Sequence, residues 1–282
     1  MNGSVLDKVK AIINEDIVNH SAQAGGCIAN SLRIKTASGN IYFLKQGFSS
    51  NMFICEANGL REISRSATIK TPKVIAVNQD FILLENIEHG LKTQEAMFSF
   101  GCTYAQMHQY TGKHVGFYEN NFIGSTPQLN TVEDNWLDFF HKNRLLYQYK
   151  LAEANGYADT ELRNKFIKIE KQLPQILSGS EEEPSLLHGD LWSGNYLIDH
   201  TGKAVLIDPA VYYGHREADL AMTQLFGGFS QDFYQGYEQT FPLKEGYIYR
   251  KNIYLLYHLL NHLNLFGTSY YRQCLQLMDF YL

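Results

Sequence analysis

The 282-residue chain has no run of apolar residues long enough to cross a bilayer. Its opening stretch, MNGSVLDKVKAIINEDIV, lacks the uncharged apolar block of a secretory leader. Both absences make a cytoplasmic protein the expectation, with no membrane partner. Only four cysteines occur, Cys27, Cys55, Cys102 and Cys274, and none stand at paired spacing, so neither a disulfide framework nor a cysteine zinc site is indicated. Lys and Arg total 24 against 29 Asp and Glu, a formal charge of -5, and there is no basic run to follow a phosphate backbone; nucleic acid is not expected as a partner. Internal repeats and long low-complexity segments are also missing. So is the GxxxxGK[ST] pattern, which rules out a Walker-type nucleotide loop. What remains, 45% hydrophobic and 19% charged, suffices for a substantial core in one large or two modest domains.

Two adjoining stretches concentrate the chemistry: LLHGDLWSGNYLID, residues 186–199, and VLIDPAVYYGHREADLA, residues 205–221. Asp190 precedes Asn195 by five residues, and Asp208 ends the next apolar run, the order and interval found in kinase catalytic and metal-binding loops. Phosphoryl transfer needs a carboxylate to orient the acceptor hydroxyl and hard oxygen ligands to hold magnesium against the phosphates. Asp190 suits the first task as catalytic base, and Asn195 and Asp208 suit the second. Two short apolar segments around His200, Thr201, Gly202 and Lys203 read as a hairpin whose open end would bring Asn195 and Asp208 together. Each fragment alone could be an ordinary turn; the four in order argue for a site.

HGDLWSGN with IDPAVYYGHREADLAM resembles the fructosamine kinase (ketosamine 3-kinase) family, within the aminoglycoside phosphotransferase and protein-kinase-like group. The resemblance extends through GGCI, MFICEANGL, FIGSTPQLN, LFGGF and LLNHLNLFG. Family members carry a more aromatic and histidine-rich form of the last segment, where this chain has Leu263 and Leu265. The resemblance implies an α+β, bilobal protein-kinase-like fold. A small antiparallel β-sheet lobe would span residues 1–87, with a hinge at Glu85, Asn86 and Ile87 whose main chain meets adenine. A larger, mainly helical lobe would span 88–282.

Patterning agrees with that division. Val5, Leu6, Val9, Ile12, Ile13 and Ile17 recur at helical intervals. Residues 31–36 and 40–46 read as paired strands around Ser38-Gly39, and 73–77 with 81–84 as two more. Met52, Phe53, Leu60 and Ile63 mark a helix between the pairs, on which Glu56 would need a charged partner if it pointed inward. Further helices are expected over 98–108, 136–153, 161–176, 218–226 and 248–266. Residues 178–185 read as a solvated loop.

By the same resemblance, Lys45 would neutralise the phosphates of ATP and be held by Glu56, with magnesium as the second cofactor. Gly25 and Gly26 would allow backbone amides close to phosphate, although paired glycines are also common in plain turns. Cys27 would then lie beside the phosphates as a candidate redox switch, or simply be a small residue in a turn. Trp192 is placed either to stack on a sugar or ammonium group or to anchor its loop. His215 and Arg216 are candidate substrate contacts or structural groups, and Asp219 a helix cap or a brace for the catalytic loop. The implied acceptor is a small-molecule or protein-bound ketosamine, and the outcome is deglycation by a monomer or homodimer. Three other readings stay open: a kinase of the aminoglycoside or choline type, a nucleotide-binding module without turnover, and a magnesium phosphohydrolase.

Overall fold

A computed structural model describes residues 4–23, 30–47 and 50–282. Gly25, Gly26 and Cys27 lie outside them.

The first helix, α1 (Val5–Ile13), is started by a reciprocal cap. Ser4 Oγ accepts from Asp7 N at 3.2 Å, and Asp7 Oδ2 accepts from Ser4 N at 3.0 Å. It stops at Asn14, whose φ of 54° is left-handed. Ile17, expected on this helix, therefore begins a strand, β1 (Ile17–Ala22), and pairs with Thr36. Strands β2 (Asn30–Thr36) and β3 (Ile41–Gln46) follow, then helix α2 (Met52–Arg65), β4 (Val74–Val77) and β5 (Phe81–Glu85). They form an antiparallel sheet in the order β1-β2-β3-β5-β4.

Every residue from Phe81 to Leu84 is buried because both faces of the sheet are covered. Phe81 and Leu83 pack with Val9, Ile34 and Leu44 beside α1, whereas Ile82 and Leu84 pack with Phe53, Ala57 and Leu60 of α2. Side chains alternate along a strand, so Lys45, next to Leu44 and opposite Ile82 in register, is directed to the α2 side.

After β5 the chain passes to helix α3 (Gln94–His108), the hairpin β6 (Asn121–Ile123) and β7 (Thr126–Gln128), and α4 (Trp136–Phe140). A π-helical stretch, His141–Leu146, joins α4 to α5 (Tyr147–Ala154), and α6 (Thr160–Ile176) follows. Next come β8 (Ser185–Leu187), β9 (Tyr196–Ile198), β10 (Ala204–Leu206) and β11 (Tyr212–Gly214). Four helices complete the chain: α7 (Arg216–Leu225), α8 (Gln231–Thr240), α9 (Tyr247–Phe266) and α10 (Tyr271–Asp279). The result is a bilobal α+β fold. Helix α8 has no counterpart in the sequence reading, where Gly236 weakens the helical signal. In the structure that glycine is the contact point with α3: a Cβ there would lie 2.1 Å from the Phe98 carbonyl oxygen, and one on Gly101 2.0 Å from that of Phe233. Among the described residues no helix is long and apolar enough to cross a membrane.

The β9–β10 hairpin is tied to segments on both sides of the hinge: Leu206 N donates to Lys70 O at 2.9 Å before it, and Gly90 N donates to Ile198 O at 2.7 Å and His200 N to Glu88 O at 3.0 Å after it.

Candidate active site

The loop after β8 is built around Gly189. Its φ is 82°, and an added Cβ would meet the Ala210 carbonyl oxygen at 2.0 Å, so only glycine fits. The tight turn leaves two backbone N–H groups facing inward, and Asp219 of α7 accepts both, from His188 N at 2.6 Å and Gly189 N at 2.8 Å. Tyr104 Oη donates to the same carboxylate at 2.6 Å and His108 Nε2 at 3.3 Å. Burial alone would raise the pKa of Asp219, but His108, His188 and Tyr104 hold it below its ordinary value. Tyr104 and His108 escaped sequence reading; the available signal was two polar residues four apart on a largely buried helix.

His188 joins the loop to the hairpin. Its Nε2 donates to Ile207 O at 2.9 Å, which leaves Nδ1 to accept from Asp190 N at 3.2 Å. Asp190 is thereby presented at the end of the turn, where Asn195 Nδ2 donates to its carbonyl at 2.8 Å and to its Oδ2 at 3.2 Å. Burial and the neighbouring charge of Asp208 raise the Asp190 pKa well above the ordinary carboxylate range, with Asn195 opposing.

The open end of the hairpin closes through Ile207 N donating to Asn195 O at 3.1 Å, so Asn195 and Asp208 do come side by side. Asp208 is left-handed, with φ 54°, although it precedes proline; a non-glycine residue held there carries strain of the kind that collects at functional sites. Its carboxylate meets the ammonium of Lys45 from β3, and Lys45 Nζ also lies 2.7 Å from Glu56 Oε1 of α2. Gly59 lets α2 approach closely enough to hold this geometry: a Cβ there would stand 3.0 Å from Pro209 Cγ and 3.2 Å from Val211 Cγ2.

Burial opposes the charge on Lys45, but Asp208 and Glu56 outweigh it and raise its pKa. Burial pushes Glu56 up to about 7, with Lys45 opposing and Asp208 adding to the rise. Two carboxylates thus share one ammonium.

Lys45, Glu56, Asp190, Asn195 and Asp208 line a single cavity of about 600 Å³, with Trp192 at its rim. The Trp192 ring folds over Gly194, where a Cβ would lie 2.3 Å from it, and is 36% exposed. The opposite wall comes from α9, with Asn261, His262, Leu265 and Phe266 facing in. Glu85, Asn86 and Ile87 are not part of this cavity. They line a second one of about 360 Å³ with Lys70, Asp199 and His200.

Of the two roles open to His215 and Arg216, substrate contact or structural group, the fold favours the second: both are buried core residues. The His215 ring is stacked on Trp136 at 4.9 Å between centroids, its Nδ1 lies 3.1 Å from Ser180 Oγ, and burial depresses its pKa to about 3. Arg216 is 2% exposed, donates to Phe241 O at 2.6 Å and Pro242 O at 2.7 Å, and pairs with Glu182 at 3.2 Å. Both sit at the start of α7, and neither lines the cavity.

A family model described as fructosamine kinase matches residues 4–282. The chain is 40% identical over 264 residues to a Synechocystis protein provisionally named a ketoamine kinase, covering 90% of this chain and 87% of that one. It is 37% identical to a chloroplastic protein-ribulosamine 3-kinase of Oryza sativa subsp. indica, covering 94% and 79%. A crystal structure from Thermobifida fusca, provisionally named a fructosamine-3-kinase, superposes with a TM-score of 0.90 at 30% identity, covering 98% of each chain. A thermostable mutant of the aminoglycoside phosphotransferase APH(4)-Ia, in a ternary complex with ADP and hygromycin B, superposes with a TM-score of 0.67 at 14% identity, a likeness of fold.

Proposed function

The chain belongs to the fructosamine kinase family, and on that premise we propose that it transfers the γ-phosphoryl group of ATP to the 3-hydroxyl of ketosamines. The observation that carries this reading is the Lys45 ammonium held between Glu56 of the small lobe and Asp208 of the large one, in the cavity that also holds Asp190. A binding module would not need this charge arrangement beside a carboxylate of raised pKa.

In this reading Lys45 steadies the phosphates and Glu56 steadies Lys45. The Asn195 and Asp208 side chains would hold magnesium. The donor set fits, because Asn195 spends its Nδ2 on Asp190 and keeps Oδ1, and Asp208 adds a carboxylate at the cavity, hard oxygens of the kind Mg²⁺ takes alongside phosphate. When bound, the ion neutralises charge on the phosphates. Asp190 accepts the hydrogen bond of the acceptor hydroxyl, aligns it for in-line attack and takes its proton. Trp192 covers the acceptor from the rim. The lobe boundary belongs at Glu85–Ile87, the end of the sheet.

Phosphorylation at the 3-position turns that oxygen into a good leaving group. Enolisation across the first two carbons then allows loss of phosphate, and hydrolysis of the resulting imine frees the amine: a deglycation.

The test is mass spectrometry of fructosyl-lysine and ribulosyl-lysine incubated with the protein, ATP and magnesium. One phosphoryl group added to either is expected. Folded protein that phosphorylates neither overturns the proposal.

A further inference from the structure

The cavity has two chemically different halves. Asp190, Asp208, Glu56 and Lys45 crowd one side, while the α9 wall is apolar apart from Asn261 and His262. Leu263 and Leu265, two residues apart, separate in the fold: Leu263 is fully buried in the core, and Leu265 faces the cavity. His262 is the informative member. Its Nδ1 lies 2.8 Å from the carbonyl oxygen of His258, which can only accept, so Nδ1 carries the proton. Burial lowers the pKa of the ring, which favours its neutral form. Nε2 is therefore a fixed lone pair. Around the His262 ring stand Phe226, Tyr270 and Phe266, at 4.9, 5.1 and 5.4 Å between ring centroids.

A neutral acceptor inside an aromatic collar is a receptor for a cationic N–H donor. A ketosamine carries one next to its sugar, since its secondary amine is protonated at neutral pH. Resting on the function proposed above, we infer that His262, Phe226 and Tyr270 form the ammonium subsite, and that Leu265 and Phe266 receive the carbon chain beyond it.

The electrostatics then sets the class of amine. Among the described residues lining the cavity, Lys45 is the sole lysine or arginine, and Glu56 and Asp208 engage it. A carboxylate on the carbon next to the amine, as in an adduct of a free α-amino acid, would lie against Leu265 and Phe266 with no cation to meet it. Burying an unpaired carboxylate is costly. The site therefore selects ketosamines of alkylamines, including the ε-amine of lysine, over Nα-linked adducts of amino acids.

The experiment compares kcat/KM for the fructosyl adducts of n-butylamine and of glycine in the wild type, Leu265→Arg and His262→Phe, with thermal melts as a check of folding. We expect the glycine adduct to be poorer by ~100-fold in the wild type. Leu265→Arg should recover roughly 10-fold on that adduct alone. His262→Phe should raise KM for the butylamine adduct about 10-fold while KM for ATP stays unchanged. Equal wild-type efficiency on the two adducts overturns the inference and leaves the proposed function standing. If Leu265→Arg does not fold, the wild-type ratio and His262→Phe still decide. Phosphorylation of neither adduct, nor of the lysine adducts above, overturns the function itself.

Discussion

Asp219 Oδ1 lies 2.8 Å from the backbone nitrogen of Gly189, so a carboxylate on helix α7 holds the turn that presents Asp190. With His188 N, Tyr104 Oη and His108 Nε2 also directed at it, this side chain is the organising acceptor of the site. An amide in its place cannot accept as many bonds and sets its own donors against theirs. Asp219→Asn should lose about 2–4 kcal/mol of stability in urea unfolding. It should also lower kcat at least ~10-fold with little change in KM for ATP, because the base is displaced by a fraction of an ångström.

Asp190→Asn should abolish turnover and yet stabilise the protein at neutral pH. The Asp190 pKa is raised on folding, so above its unfolded value near 3.8 the native state binds more protons than the unfolded chain and its stability falls as pH rises. The contribution is present below that value and is lost as pH passes through the raised folded one. Melting curves of metal-free protein should show the variant above wild type at pH 7, with the gap closing toward pH 4. A wild type that melts higher at pH 7 would contradict the charge crowding described here.

Lys45→Met leaves Glu56 and Asp208 facing each other without the ammonium. We expect kcat/KM for ATP to fall by more than ~10³-fold. Glu56→Gln keeps a hydrogen-bond acceptor for Lys45 and should cost only ~10–100-fold. A steady-state series in ATP separates the two.

Arg216→Ala should behave as a core mutation. Removal of a buried guanidinium leaves Glu182 and the carbonyls of Phe241 and Pro242 without their donor, at a cost of about 3 kcal/mol. KM for the ketosamine should not move. Initial rates measured below the melting transition, set beside the shift in Tm, check both halves.

The legible part of the site was the part close in sequence. Asp190 and Asn195 share one loop, Asn195 and Asp208 are the two ends of one hairpin, and both relations follow from turn and strand geometry that neighbouring residues settle among themselves. Strand alternation likewise placed Lys45, and helical spacing placed Glu56 on α2. Helix α8 was missed because its glycine is chosen for contact with α3, and propensity weighs only the isolated segment. His215 and Arg216 were left open between substrate contact and structural role for a related reason: their position after the hairpin suits either, and packing against Trp136 and Phe241 takes them into the core.

The sequence by itself determined the loop that carries Asp190, the hairpin with its two metal-binding candidates, and the alternation of strands and helices, because these depend on interactions over a few residues. Tertiary structure decided the rest. It brought Lys45 to Asp208 across 163 positions, gathered Tyr104, His108 and Asp219 around one turn, and turned α9 so that Leu263 is core and Leu265 is a cavity wall. Chain spacing carries no information about which face of a helix meets a void; only the packing of its neighbours does.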